Sequence, residues 1–295
     1  MDKNRLRLSV LAGDISAALE ARRGNSRIVI STRAGSNPLQ FNYYFSKPFQ
    51  KLLHSVLKGM SCFRLIGRPC NILDILDVVG KSTAYDYHFS IDYSNATDGL
   101  DGDVSMWILD QICDGLPASD VEEYRKVLGS HWLEYPEFKG KEPIAPGLQT
   151  RGQLMGSILS FPILCLANLG VYLAVQTFMC GYGWEEAIIF RQGDTQVLNG
   201  TFNVDNLTSP LWKSEKDGSL LLDRLLDRVL INGDDMYYMG SREQWTVQNF
   251  VSTAVGLEPS VGKAYIHGRY ININSTCYVM DRSRSIAVIP YFPVG

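Results

Sequence analysis

With 295 residues, 45% of them hydrophobic and 20% charged, the chain can bury a sizeable core as one large domain or two modest ones. No tract is repetitive, which argues against a solenoid or a long disordered tail. The net charge of -3 hides an asymmetry: residues 1–70 hold 12 Lys and Arg against 3 Asp and Glu, and the remainder holds 16 against 28. A basic front suits phosphates and an acidic rear suits metal ions, although a solvated basic face near a terminus explains the charge alone equally well.

In chain order, Ser26 to Thr32 reads as a strand flanked by Arg23, Arg27 and Arg33. Pro48 is expected in the first turn of a helix, with Phe49, Leu52, Leu53, Val56 and Leu57 at helical spacing and Gly59 ending it. Tyr87 to Tyr93 predicts a strand, followed by a polar turn (SNATDG) and an amphipathic helix from Val104 to Cys113. Residues 121–131 predict a short helix and 132–151 a loop rich in Gly and Pro.

No charged residue occurs from Gly152 to Trp184, a run long enough to cross a bilayer. Its Gly, Ser, Pro, Asn and Gln content, with no second span and no basic flank, favours a buried core helix instead. Residues 185–220 predict an irregular or hairpin insert. Leu225 to Met239 reads as a hairpin turning at Asn232, Gly233 and Asp234, because glycine beside Asn or Asp supplies a tight turn. A helix from Arg242 to Val255, stopped by Gly256 and Pro259, and two strands, Ala264 to His267 and Tyr270 to Ile273, are expected to end the ordered core. The six cysteines lack CxxC spacing, the four histidines form no HxxxH pair, and no signal peptide is expected. A reduced, cytosolic protein without a zinc site is the expectation.

The chemistry lies in the acidic residues. Asp92 ends an apolar strand, and Asp234 with Asp235 sits at the tip of a largely apolar hairpin. Carboxylates at the ends of buried strands are costly unless a positive partner meets them, and a pair of Mg²⁺ ions is the obvious partner. Either motif alone is weak: an Asp-rich turn arises by chance, and DxxxxxD may only cap the next helix.

Order strengthens them. Asp92 to Asp98 (DYSNATD), Gly152 to Ser157 (GQLMGS) opening the apolar helix, Asn232 to Asp235 (NGDD) and then Gly262-Lys263 resemble motifs A to D of viral RNA-dependent RNA polymerases. Through RGQLMGSILSFPILCLANL, the INGDD hairpin and GLEPSVGKAYIHGRYININST, the chain is most similar in pattern to the ourmia-like and narnavirus-like polymerases, from about Arg27 to Tyr278. The resemblance implies an α+β right-hand fold with a palm made of a small antiparallel sheet backed by helices. On that expectation residues 1–80 form partial fingers, 81–280 the palm with a finger insert at 114–150, and 281–295 the start of a thumb or tail; most of the fingers and thumb lie outside the chain.

The resemblance also implies roles. Asp92 and Asp234 match the metal-binding carboxylates, with Asp235 an accessory ligand, for two Mg²⁺ ions that Mn²⁺ can replace. Asp98 matches the residue that senses the ribose 2′-hydroxyl. Gly156, Ser157 and Ser160 match the loop and helix start that hold template and incoming nucleotide, and Lys263 matches a general acid for pyrophosphate. Arg27 and Arg33 match the basic segment that grips the triphosphate, or are solvated arginines of a surface strand. Lys263 is alternatively an ordinary surface lysine. Asn168 has two readings, a ribose contact or a buried packing amide, since it falls one helical turn beyond the ribose-binding position of picornavirus-type enzymes. The strands around Tyr270 to Ser275 resemble motif E, which supports the product strand.

The implied partners are an RNA template and product, ribonucleoside triphosphates and polymerase segments in another chain; no membrane span is expected, and the implied location is the host cytoplasm. Rivals are a reverse transcriptase, which usually sets an aromatic before its hairpin aspartates, a palm-type nucleotidyl cyclase, and a non-catalytic RNA-binding fragment.

Overall fold

The computed structural model of the protein describes residues 40–129, 131–133, 147–179, 188–192, 195–199 and 223–290. Within them the fold is mixed, with helices and small antiparallel sheets, as the α+β expectation requires. The strand expected over 26–32, with Arg27 and Arg33, lies outside the described residues. By its internal contacts the chain divides into two compact units, Met1–Ser55 with Asn95–Ala167, and Val56–Ser94 with Asn168–Gly295.

In the first unit, α1 (Gln40–Lys58) enters as a helix that continues past its boundary. Pro48 lies inside this helix instead of opening it, which corrects the sequence expectation. A proline there forfeits a backbone hydrogen bond. The loss is offset by packing on both sides of it: Phe45 and Phe49, one turn apart, lie against Tyr124, with ring centroids at 5.8 and 4.2 Å. Tyr124 belongs to α5 (Ala118–Leu128), which follows α3 (Ala96–Gly99) and α4 (Gly102–Ile112). The polar turn expected after Tyr93 is therefore partly helical. Asp101 caps α4 by accepting from the N–H of Asp103 and Val104. Strands β2 (Trp132–Leu133) and β3 (Gly147–Leu148) form a two-residue ladder, and α6 (Ser160–Met179) begins in this unit. No helix among the described residues is long and apolar enough to cross a membrane.

Hydrogen bonds tie the turn after Asn95 to the segment before α6. Gly152 N–H donates to Leu100 O at 3.0 Å, Gln153 N–H to Thr97 O at 2.6 Å, and Arg151 Nε to Gly99 O at 2.8 Å. Gln153 Nε2 also donates to Ser105 Oγ at 2.8 Å. Gly152 has φ +76°, and a Cβ there would meet Asp98 O at 2.5 Å and Thr97 O at 2.6 Å. Only glycine combines that dihedral with so close a backbone approach.

The second unit is built on a four-stranded sheet in the order β6 (Val229–Asn232), β7 (Asp235–Gly240), β1 (Tyr87–Ile91), β8 (Tyr265–His267), all antiparallel. One face packs on α2 (Ile72–Lys81) through Ile75, Val78, Val79, Leu230, Tyr237 and Met239. The other carries Phe89 against Tyr238 and Trp245, the latter on α7 (Arg242–Ala254), and Tyr238 against Tyr172 of α6. Burial on both faces explains why β1 lacks a polar alternation. A hairpin of β4 (Ile188–Gln192) and β5 (Thr195–Asn199) lies within the expected insert.

The expected strand over Tyr270 to Ile273 is β9 (Tyr270–Ile273), and beyond it β10 (Thr276–Met280) and β11 (Ile286–Val288) join it in a further antiparallel sheet. The ordered core thus extends past Ile273: Tyr278 is buried, and its hydroxyl donates to Cys70 O at 3.0 Å. Replacing Gly152 by alanine should lower the free energy of unfolding by about 2–4 kcal/mol, because both carbonyls are fixed backbone. Urea denaturation measures this, and an unchanged midpoint would refute the close approach.

Candidate active site

The second unit gathers the acidic residues. In the ladder between β1 and β7 the last pair is Ile91 with Met236. One step beyond it on β1 is Asp92, and one step before it on β7 is Asp235. Gly233 and Asp234 form the two-residue turn between Asn232 and Asp235, with Gly233 at φ 69°. Antiparallel register alone therefore brings three carboxylates, from positions about 140 residues apart, to one end of the sheet.

A second segment closes on Asp92. Ser94 N–H donates to Glu258 O and Ser260 N–H to Asp92 O, both at 2.8 Å, with a bridge between Tyr93 and Pro259. The following turn, in which Gly262 has φ 83°, carries the ammonium of Lys263 to 3.5 Å from Asp92 Oδ2. Lys263 is 66% exposed against 26% for Asp92, so this pair is solvent-screened and contributes little to stability. From the sheet of β9, β10 and β11, the turn after β9 approaches as well: Asn232 Nδ2 donates to Asn274 Oδ1 at 3.0 Å, and the Asn274 N–H meets the Asp235 carboxylate.

Electrostatics bind these groups into one set. Burial holds the Asp234 carboxyl above its ordinary range; Asp92 adds to the rise, while hydrogen bonds from backbone N–H groups and Lys263 oppose it. Burial, then Asp234 and Asp92, push Asp235 up to about 6, against the Asn274 N–H and Lys263. Carboxylates raised by confinement and mutual repulsion are relieved by a cation, so the donor set fits a hard divalent ion. Among the described residues no three His, Cys, Asp or Glu side chains form a ready-made cage. Such a cage is not what Mg²⁺ needs, because it keeps several waters and takes one or two carboxylates together with substrate phosphates.

Asn168 of α6 belongs to the same unit, and its Nδ2 donates to Gly233 O at 3.1 Å and Asp234 O at 3.2 Å. Its amide is spent on the turn. Of the two readings of this residue, the buried amide describes its place in the fold, with no exposed surface. Sequence reasoning missed Tyr93, Gln248 and Asn274, which hold the site together. No local pattern marks such partners: the bonds run 155 residues from Gln248 to Tyr93, 75 from Tyr93 to Asn168 and 42 from Asn232 to Asn274.

The remaining positions lie in the first unit. Asp98 is exposed on α3, and its backbone is held by the Gly152 approach. Gly156 is exposed, whereas Ser157 is buried with its hydroxyl donating to Val127 O at 2.9 Å. Ser160 is buried at the start of α6, and its hydroxyl has no hydrogen-bond partner.

Comparison with known proteins agrees with the class that these motifs suggest. No protein-family profile matches the chain. It is similar to the RNA-dependent RNA polymerase of Ourmia melon virus (isolate Melon/Iran/VE9), with 28% identity over 291 residues, covering 93% of this chain and 29% of that protein. The chain thus spans less than a third of the relative's length. Its resemblance to the ourmia-like viral polymerases holds along nearly all of the chain.

The Asp235 environment has a pH signature. With a folded pKa of about 6 against an ordinary 3.8, the folded state keeps a proton that the unfolded chain has lost. Its stabilising contribution is present below about pH 4 and is lost as pH rises through about 6. Asp235→Asn removes this titration, so the variant should gain stability relative to wild type from pH 4 to 7, as followed by thermal melts. A constant difference across that window would contradict the confinement of Asp235.

Proposed function

We propose that the chain carries the catalytic palm of a viral RNA-dependent RNA polymerase and joins ribonucleotides to an RNA 3′-end. The observation that supports this reading most is the meeting of Asp92, Asp234 and Asp235 at one sheet end, with Lys263 beside them. Similarity to the Ourmia melon virus polymerase supports it independently.

Asp92 and Asp234 would hold two Mg²⁺ or Mn²⁺ ions, with Asp235 in an accessory place. When bound, such ions acidify the attacking hydroxyl and neutralise the triphosphate. The 3′-oxygen would attack the α-phosphorus as its bond to pyrophosphate breaks, and the hydroxyl proton would pass to solvent water. Lys263 holds a proton at Nζ that the leaving pyrophosphate can take, and in the absence of substrate it serves as counter-charge to Asp92. Asp98 is the residue proposed to sense the 2′-hydroxyl, held by the bonds that lock residues 97–100 onto Gly152 and Gln153. Gly156, Ser157 and Ser160 would shape the loop that receives template and nucleotide. Arg27 and Arg33 would grip the triphosphate.

Template-dependent incorporation of labelled ribonucleotides tests the proposal. Asp234→Ala should reduce it by about 10³-fold or more in Mg²⁺ or Mn²⁺; equal incorporation by variant and wild type would reject the mechanism. Asp98→Ala should retain incorporation while losing preference for ribo- over deoxynucleotides, measured as a ratio of kcat/KM. An unaltered ratio would remove Asp98 from the sugar-sensing role.

A further inference from the structure

The hydrogen bonds behind the carboxylates form a single directed chain. Tyr238 Oη donates to Gln248 Oε1 at 2.9 Å, Gln248 Nε2 to Tyr93 Oη at 3.1 Å, and Tyr93 Oη to Asn168 Oδ1 at 3.0 Å. Asn168 Nδ2 then donates to both Gly233 O and Asp234 O. The direction follows from chemistry. Backbone carbonyls only accept, so Nδ2 must face them and Oδ1 must receive the Tyr93 proton. With its proton spent, Tyr93 accepts from Gln248 Nε2, which leaves Oε1 for Tyr238. All four side chains are buried, at 3% exposure or less.

We infer that Asn168 is a positioning residue for the Gly233-Asp234 turn, the last link of a buried relay from Tyr238 through Gln248 and Tyr93, and not a contact to the sugar of a nucleotide. Both amide hydrogens are committed to the turn, its oxygen accepts from Tyr93, and the side chain has no exposed surface to offer a ribose. The relay reaches both carboxylates thought to hold ions, because Tyr93 follows Asp92 in the chain and Asn168 grips the carbonyl of Asp234 itself. It also joins the end of β1 and α6 to the consecutive elements β7 and α7. A turn of two residues has carbonyls outside its own ladder, and the Asn168 amide supplies their donors. Loss of these two donors would loosen the turn and with it the spacing of Asp92 and Asp234.

The Mn²⁺ and activity arms of the test rest on the polymerase reading, and the exchange arm does not. Asn168→Leu removes every link of the last step, and Tyr93→Phe removes a single oxygen, which keeps the test alive should the leucine variant fail to fold. Amide hydrogen exchange across residues 231–236 should accelerate about tenfold or more in both, with global melting little changed. Affinity for Mn²⁺ without nucleotide, followed by electron paramagnetic resonance, should fall about 10-fold, as when a residue supporting a ligand is lost. In templated extension kcat should fall, while KM for ribonucleotides and the ribose preference stay within about two-fold. Unchanged exchange in the turn, or a ribose preference that shifts about tenfold with the turn intact, would overturn the inference. Should wild type bind no Mn²⁺ and incorporate nothing, the polymerase reading fails, and exchange in the turn alone still decides the relay.

Discussion

Everything proposed for this protein depends on the antiparallel pairing of β1 with β7. Because Ile91 lies opposite Met236, the residue after β1 and the residues opening β7 must share one end of the sheet. All three positions are aspartates. Each strand is buried on both faces, so packing of Phe89, Tyr237, Tyr238 and their neighbours fixes the sheet and with it the backbone from which the carboxylates project. The fold thus stores electrostatic stress at a defined place, seen in the raised Asp234 and Asp235 carboxyls. Packing elsewhere sustains that stress, and a bound cation would release it.

Two kinds of support surround this point. Close to it, backbone bonds fix the 258–264 turn beside Asp92, and the Asn274 turn meets Asn232 and Asp235. Behind it, a buried polar relay fixes the hairpin tip. Fully satisfied buried networks of this kind specify one arrangement of elements more than they add stability. In the other unit, the residues around Asp98 are secured in the same manner, by backbone bonds to Gly152 and Gln153 with no room for a side chain at Gly152.

Much of this was readable along the chain where the signal is local. The hairpin at Asn232 to Asp235 announces itself through glycine in a left-handed turn between apolar strands, and α7 through the stop signal of Gly256 and Pro259. The strand before Asp92 follows from its aromatic and β-branched residues. What escaped reading depends on distant partners. Pro48 looks like a helix start because local propensity places it there, and the Phe45 and Phe49 contacts with Tyr124 override it. Strands β10 and β11 were missed because Asn274 and Ser275, both at positive φ, make a tight turn without glycine. The role of Asn168 was ambiguous for the same reason: its partners are 65, 66 and 75 residues away.

The central claim, that Asp92 and Asp234 share divalent cations, is tested most directly by anomalous diffraction from crystals of the chain soaked in Mn²⁺. The account predicts manganese at this end of the sheet, within about 2.2 Å of oxygens from both carboxylates, with two ions about 4 Å apart once a nucleoside triphosphate is added. Manganese bound elsewhere, or absent from Asp92 and Asp234 with nucleotide present, would contradict it.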